Sequence, residues 1–207
     1  MKTKLLKTSV LLLFPFLSIS QTLENIDYIA PLQDNLIAIE KDGAWAFINS
    51  KGDMVIEFRD DIVATWMGLD SYPIYASKRI LIKSQRDGIS YFGYIDNSGK
   101  TVVEPQFLNA TNFNQNQATV LKPITSTVGH NDMLDKDIVY HRYCEVVIDR
   151  NGKVLYYLNP KGINVVLDKK FLEEPPAITS KKMSEELYAL KSKNGNWKII
   201  ELKDTSN

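Results

Sequence analysis

The residues best able to do chemistry crowd into one stretch. His130, Asp132, Asp135, Asp137, His141 and Cys144 all fall within residues 129–144, and they include both histidines and the single cysteine of the chain. Imidazole, carboxylate and thiolate together are the donor set of a transition-metal site. Such a site needs ligands at spacings that converge, as with two histidines one helical turn apart, and no such spacing occurs here. The stretch is polar, lacks a clear apolar period and belongs to an insert, residues 123–142, that interrupts a hairpin. It reads as a solvated hairpin extension, a flexible surface loop without metal. The alternative is a metal-dependent or carbohydrate-active hydrolase built on that insert.

Other motifs reduce to turns. Residues 93–101 end in Gly99-Lys100-Thr101 like a phosphate-binding loop, but five residues separate Gly93 from Gly99 where that loop has four. Asp96-Asn97-Ser98-Gly99 and Asp149-Arg150-Asn151-Gly152 hint at calcium loops, yet neither has glycine sixth and a bidentate glutamate twelfth. An aspartate bonding its own backbone before a glycine of positive φ accounts for both. The carboxylate pairs Glu173-Glu174 and Glu185-Glu186 sit beside prolines or in a loop, and no Gly-x-Ser-x-Gly elbow occurs. These motifs point to no enzyme and no cofactor.

Composition closes further classes. The 207 residues carry 25 Lys+Arg and 25 Asp+Glu, a net charge of +0, with 44% hydrophobic residues. Neutrality speaks against nucleic-acid binding, which needs clustered basic charge. One cysteine excludes an internal disulfide framework. At the start, Lys2, Lys4 and Lys7 precede the apolar run Val10-Leu11-Leu12-Leu13-Phe14-Pro15-Phe16-Leu17 and then Ser18-Ile19-Ser20. A basic segment, a short apolar core and small residues form a secretory signal peptide, residues 1–20, with cleavage between Ser20 and Gln21. The run is too short to span a membrane. The expected location is therefore periplasmic, outer-surface or extracellular.

The elements that must position any site come from repetition. Trp45-Ala46-Phe47-Ile48-Asn49 returns as Phe92-Gly93-Tyr94-Ile95-Asp96, as Glu145-Val146-Val147-Ile148-Asp149, and in truncated form as Trp197-Lys198-Ile199-Ile200-Glu201. Aligning the isoleucines gives spacings of 47, 53 and 52 residues. Each copy has a short strand, a turn, a second strand, then in three copies an Asn/Asp-x-x-Gly turn closed by Gly52, Gly99 or Gly152 and a third strand. That is an antiparallel meander, and units of this length bury their apolar faces only by stacking.

The second copy, Phe92-Gly93-Tyr94-Ile95-Asp96-Asn97-Ser98-Gly99-Lys100 followed by Glu104-Pro105-Gln106-Phe107, resembles the bacterial WG-repeat family. The resemblance covers roughly residues 32–203 by repeat counting. It implies a binding or structural module without a shared catalytic site, with Trp45, Phe92 and Trp197 as repeat aromatics and Gly52, Gly99 and Gly152 as turn glycines. In the third copy Glu145 replaces the aromatic.

The expected protein is thus all-β. Four tandem meander repeats, near residues 32–63, 79–107, 113–157 and 183–203, make one domain over residues 21–207, as an open solenoid or a short propeller. Trp66, Tyr72 and Tyr75 lie in a connection that the repeat does not demand, where rigid aromatics suit a binding surface. The expected function is a non-catalytic exported scaffold for a protein or cell-surface glycan.

Overall fold

The computed structural model describes residues 23–192 and 194–202. The segment expected to be a signal peptide, with the expected cleavage site at Ser20 and Gln21, lies outside the described residues. Those described form sixteen strands and no helix, so none contains a helix long and apolar enough to cross a membrane.

The first unit is the sheet β1(Tyr28–Ile29), β2(Leu36–Lys41), β3(Ala44–Asn49), β4(Met54–Arg59), in that order. A small hairpin, β5(Ala64–Trp66) and β6(Ser71–Pro73), precedes the second unit, β7(Ile80–Arg86), β8(Ile89–Ile95), β9(Thr101–Phe107). The third is β10(Ala118–Asn131), β11(Lys136–Ile148), β12(Val154–Tyr157), with β13(Ile163–Val165) also on β11. The fourth is β14(Lys181–Lys182), β15(Leu187–Lys191), β16(Trp197–Glu201). All the pairings are antiparallel.

Next to the Asn/Asp-x-x-Gly turn, three units share one register. Phe47 pairs with Ile56, Tyr94 with Val103 and Val147 with Tyr156, and one pair further along the ladder slips at the same place, to Ile48–Met54, Ile95–Thr101 and Ile148–Val154. A bulge of this kind bends and twists the strand, so each meander presents a similarly curved face to its neighbour. The turn before the bulge is equally uniform. Asn49 Oδ1 accepts from the amides of Lys51 and Asp53, Asp96 Oδ1 from Ser98 and Lys100, and Asp149 Oδ1 from Asn151 and Lys153. Gly52, Gly99 and Gly152 complete these turns at φ of 89°, 82° and 82°, a region that costs other residues strain.

A second turn series, not apparent in the sequence, opens each of the first three units. Asp34-Asn35, Ser77-Lys78 and Gln115-Asn116 all have positive φ, inside two-residue turns closed by bridges 33–36, 76–79 and 114–117. These form a column along the stack. Gln33 bonds Pro73 O and the Tyr75 amide, Ser77 Oγ accepts from the Asn116 amide, and Lys182 Nζ donates to Asn114 O.

The cores lie between units. One joins Trp45, Phe47 and Ile56 of the first to Ile80, Ile82 and Ile95 of the second. Another joins Tyr94 and Val103 of the second to Val120, Val146 and Ile148 of the third. A smaller one joins Val147 and Leu158 to Tyr188 and Leu202. Among the described residues no core cluster unites the first and fourth units, and the sheets do not close into a barrel. At the contacts a Cβ on Gly99 would lie 3.3 Å from Ile56, and one on Gly152 would lie 3.0 Å from Val103. Each of these turns therefore seats on the preceding unit's third strand.

Two expectations change here. The insert at 123–142 is not a loop: the β10–β11 ladder continues from Ala118–Ile148 to Asn131–Lys136, with one irregularity near Val128. Ile124, Thr125, Thr127, Val128, Ile138, Val139 and Tyr140 supply the β-branched and aromatic content that favours a pleated ribbon. Trp197 is not a core residue. It is 47% exposed, with Lys181 Nζ 4.9 Å from its ring centroid, because no further sheet packs on β16 among the described residues. Its counterparts Trp45 and Phe92 are buried.

Candidate functional site

The three aromatics of the first connection separate in space. Strand pairing sets Thr65 opposite Tyr72 and Trp66 opposite Ser71, and the chain reverses at Met67–Asp70 through Gly68, at φ 96°. Trp66 stands 65% exposed at the end of this hairpin. Tyr72 is half-buried, its ring stacked 6.4 Å from that of Tyr28. Tyr75 is not on the surface. It is buried with Trp45, Ile80 and Ile82, and burial raises its phenol above the ordinary range. After Pro73 the chain turns inward to reach the 76–79 turn, which carries Tyr75 into the core.

Two companions of Trp66 were missed: Met67 and Leu69 are also exposed, Leu69 to 90%. Apolar residues on either side of a turn glycine were the available signal. The hairpin is anchored to the stack by Asn112 Nδ2, which donates to Thr65 Oγ1 at 2.7 Å, and by Gln33 at its base. It therefore presents Trp66, Met67 and Leu69 from a fixed support.

The potential ligands of the 129–144 stretch do not converge. His130 Nδ1 lies 2.9 Å from Asp137 and its Nε2 3.5 Å from Asp135, all exposed at the ribbon tip. His141 pairs instead with Thr125, 2.9 Å away. Four residues of extended strand, roughly 13 Å, separate the level of Asp137 from that of His141. Cys144 is fully buried, and burial pushes its thiol up, away from the thiolate form. The turn aspartates are equally committed. Burial alone would raise Asp96, but bonds from Ser98 and the Lys100 amide outweigh it and hold the carboxyl below its usual range. Lys100 continues into β9, not into a helix, so no phosphate-binding N-terminus follows. Glu173, Glu174, Glu185 and Glu186 are all exposed.

Glu145, the residue that replaces the repeat aromatic, has a different role. It is 5% exposed, and its carboxylate accepts from the Thr179 amide at 2.6 Å, Thr179 Oγ1 at 2.8 Å and the Ser180 amide at 3.1 Å. It clamps the segment that leads into the fourth unit and forms one wall of a cavity of about 600 Å³ beside Lys161, Asn164 and Lys191. Charged hydrogen bonds contribute about 1.5–3 kcal/mol each, and removing the carboxylate leaves the part-buried Thr179 and Ser180 amides without that acceptor. Glu145→Ala is expected to destabilise the third–fourth contact by about 3 kcal/mol. Hydrogen exchange would show this as faster exchange in β15 and β16 while β2 and β3 keep their protection.

Residues 92–122 match the family model of the WG containing repeat. No curated protein and no solved structure matches the chain. The matched segment begins at Phe92 on β8, passes through the Gly99 turn and β9, and ends at Lys122 on β10. One WG repeat is thus phased across a unit boundary, and it contains the Ala110–Val120 bridge by which one unit hands its chain to the next. The sequence pattern records the contact between meanders as much as the meander itself.

Proposed function

We propose that this chain is an exported, non-catalytic repeat scaffold that holds a protein or cell-surface glycan through the β5–β6 hairpin. The observation that carries the reading is the exposure of Trp66, Met67 and Leu69 together on a hairpin braced against two units. Exposed large apolar side chains held rigidly are the usual anchors of an interface, because little conformational entropy is lost when they are covered. The repeat fold and the WG-repeat match support a scaffold, and the basic and apolar N-terminal sequence supports export.

The test uses Trp66→Ala combined with Leu69→Ser. Both side chains lie in solvent, so the melting midpoint should stay within about 0.5 kcal/mol of stability of the parent. Envelope and secreted proteins, and a panel of surface glycans, are presented to the parent and to the variant. A ligand held by the parent and released by the variant, by tenfold or more in affinity, is the expected result. A ligand held equally by both would show that the hairpin is not the binding element.

A further inference from the structure

The outer edges of β2, β7 and β10 are covered where each leaves the column of turns. The Ala30 amide bonds Ala38 O, the Val63 amide bonds Leu81 O, and the Thr111 and Leu108 amides bond Thr119 O and Leu121 O. In the third unit this cover stops at Leu121, although β10 runs on to Asn131. On the other side, β13 reaches β11 only at His141–Tyr143. Ile124 still packs against the core between the second and third units; beyond it the distal arm is a two-stranded ribbon whose residues are mostly exposed. Such a ribbon is marginally stable in water and gains stability from a third strand.

Its free edge has the features of one that pairs. Residues 123–131, Pro-Ile-Thr-Ser-Thr-Val-Gly-His-Asn, contain no Lys, Arg, Asp or Glu, the charges that usually block an edge. Because Thr119 and Leu121 direct their backbone groups outward, alternation directs those of Thr125 and Thr127 outward as well. Pro123 falls on the same outward series, where its missing N–H removes nothing from the hairpin and stops pairing closer to the body. The segment is also self-complementary. When two copies run antiparallel about Ser126, Thr125 of each faces Thr127 of the other, and the irregularity at Val128 bounds the paired stretch.

We propose that the arm is a homodimerisation edge: β10 of one molecule adds antiparallel to β10 of a second, centred on Ser126, giving the four-stranded order β11-β10-β10-β11. The two Thr125–Thr127 pairs exchange four backbone hydrogen bonds, and Thr–Thr neighbours are favourable cross-strand pairs. The occupant is a second copy because a symmetric, uncharged edge complements itself.

Sedimentation equilibrium of the purified protein should show a monomer–dimer equilibrium. Thr125→Lys with Thr127→Lys, which sets lysines opposite one another, should raise the dimer dissociation constant at least tenfold while leaving the melting midpoint of the body unchanged. Ser126→Cys supplies a readout independent of stability. In the central pair the two Cα atoms lie about 4.5 Å apart, within the span of a disulfide. Mild oxidation should link the copies, whereas the parent, with Cys144 buried, should stay unlinked. A parent monomeric up to roughly 0.1 mM, well within the range where even weak pairing registers, would overturn the proposal. So would a dimer indifferent to the lysines, or a Ser126→Cys protein that does not cross-link.

Discussion

Replacing Trp45 by alanine is expected to cost about 3–5 kcal/mol, and replacing Trp197 less than about 1 kcal/mol. The two tryptophans occupy the same place in the repeat, so their difference isolates what a neighbouring unit contributes. Trp45 is 6% exposed, with Tyr28 edge-on at 6.0 Å and the side chains of Ile80 and Ile82 from the next unit in the same cluster. Its removal leaves a cavity that two sheets cannot both collapse into. Trp197 has Lys181 and Lys191 against its ring and solvent beyond. Truncation there removes cation–π contacts and little else. Urea denaturation read by the midpoint at constant slope separates the two cases. Equal losses would mean that the four strands do not share one register.

Most of the meander was legible because its turns are chemical. An Asn or Asp whose side chain caps the amides two and four residues on, with glycine at positive φ, leaves a mark that survives when the strands diverge. Asn49, Asp96 and Asp149 carry it even though Trp45, Phe92 and Glu145 differ. The 33–36, 76–79 and 114–117 turns were not legible, since Asn35, Lys78 and Asn116 reach positive φ without glycine. Neighbouring units hold them there, as Ser77 does through the Asn116 amide. The site was half legible for a related reason. Composition places Trp66, Tyr72 and Tyr75 in one connection, but only the pairing of β5 with β6 and the inward turn after Pro73 decide that Trp66 is free and Tyr75 is core. Glu145 looked like an eroded aromatic. Its role depends on Thr179 and Ser180, 34 and 35 residues away, and no local pattern announces that.

Gly93→Ala is expected to destabilise the protein by about 3 kcal/mol, the upper end of what overpacking usually costs. Gly93 does not have positive φ, so space, not backbone freedom, is at issue. An added Cβ would collide with Val103 O and would lie 2.6 Å from Pro105 N and 2.8 Å from Glu104 C. All three are backbone atoms that cannot swing aside. The cause is local to the second unit. Between the pairs Phe92–Phe107 and Tyr94–Val103, three residues of β9 pass opposite Gly93 alone, whereas two residues of β4 pass opposite Ala46, between Trp45–Arg59 and Phe47–Ile56. In the third unit Val146 and Val147 face Tyr157 and Tyr156 in simple succession, and a full valine fits. The glycine of the aromatic–glycine pair is thus required where the third strand is folded over the second, and is dispensable where it is not. Ala46→Gly is the matching control and should cost about 1–2 kcal/mol, from chain entropy and the loss of one buried methyl group. A Gly93→Ala protein whose denaturation midpoint matched the parent's would mean that β9 does not cross so closely, and the distinction between the second unit and its neighbours would fall with it.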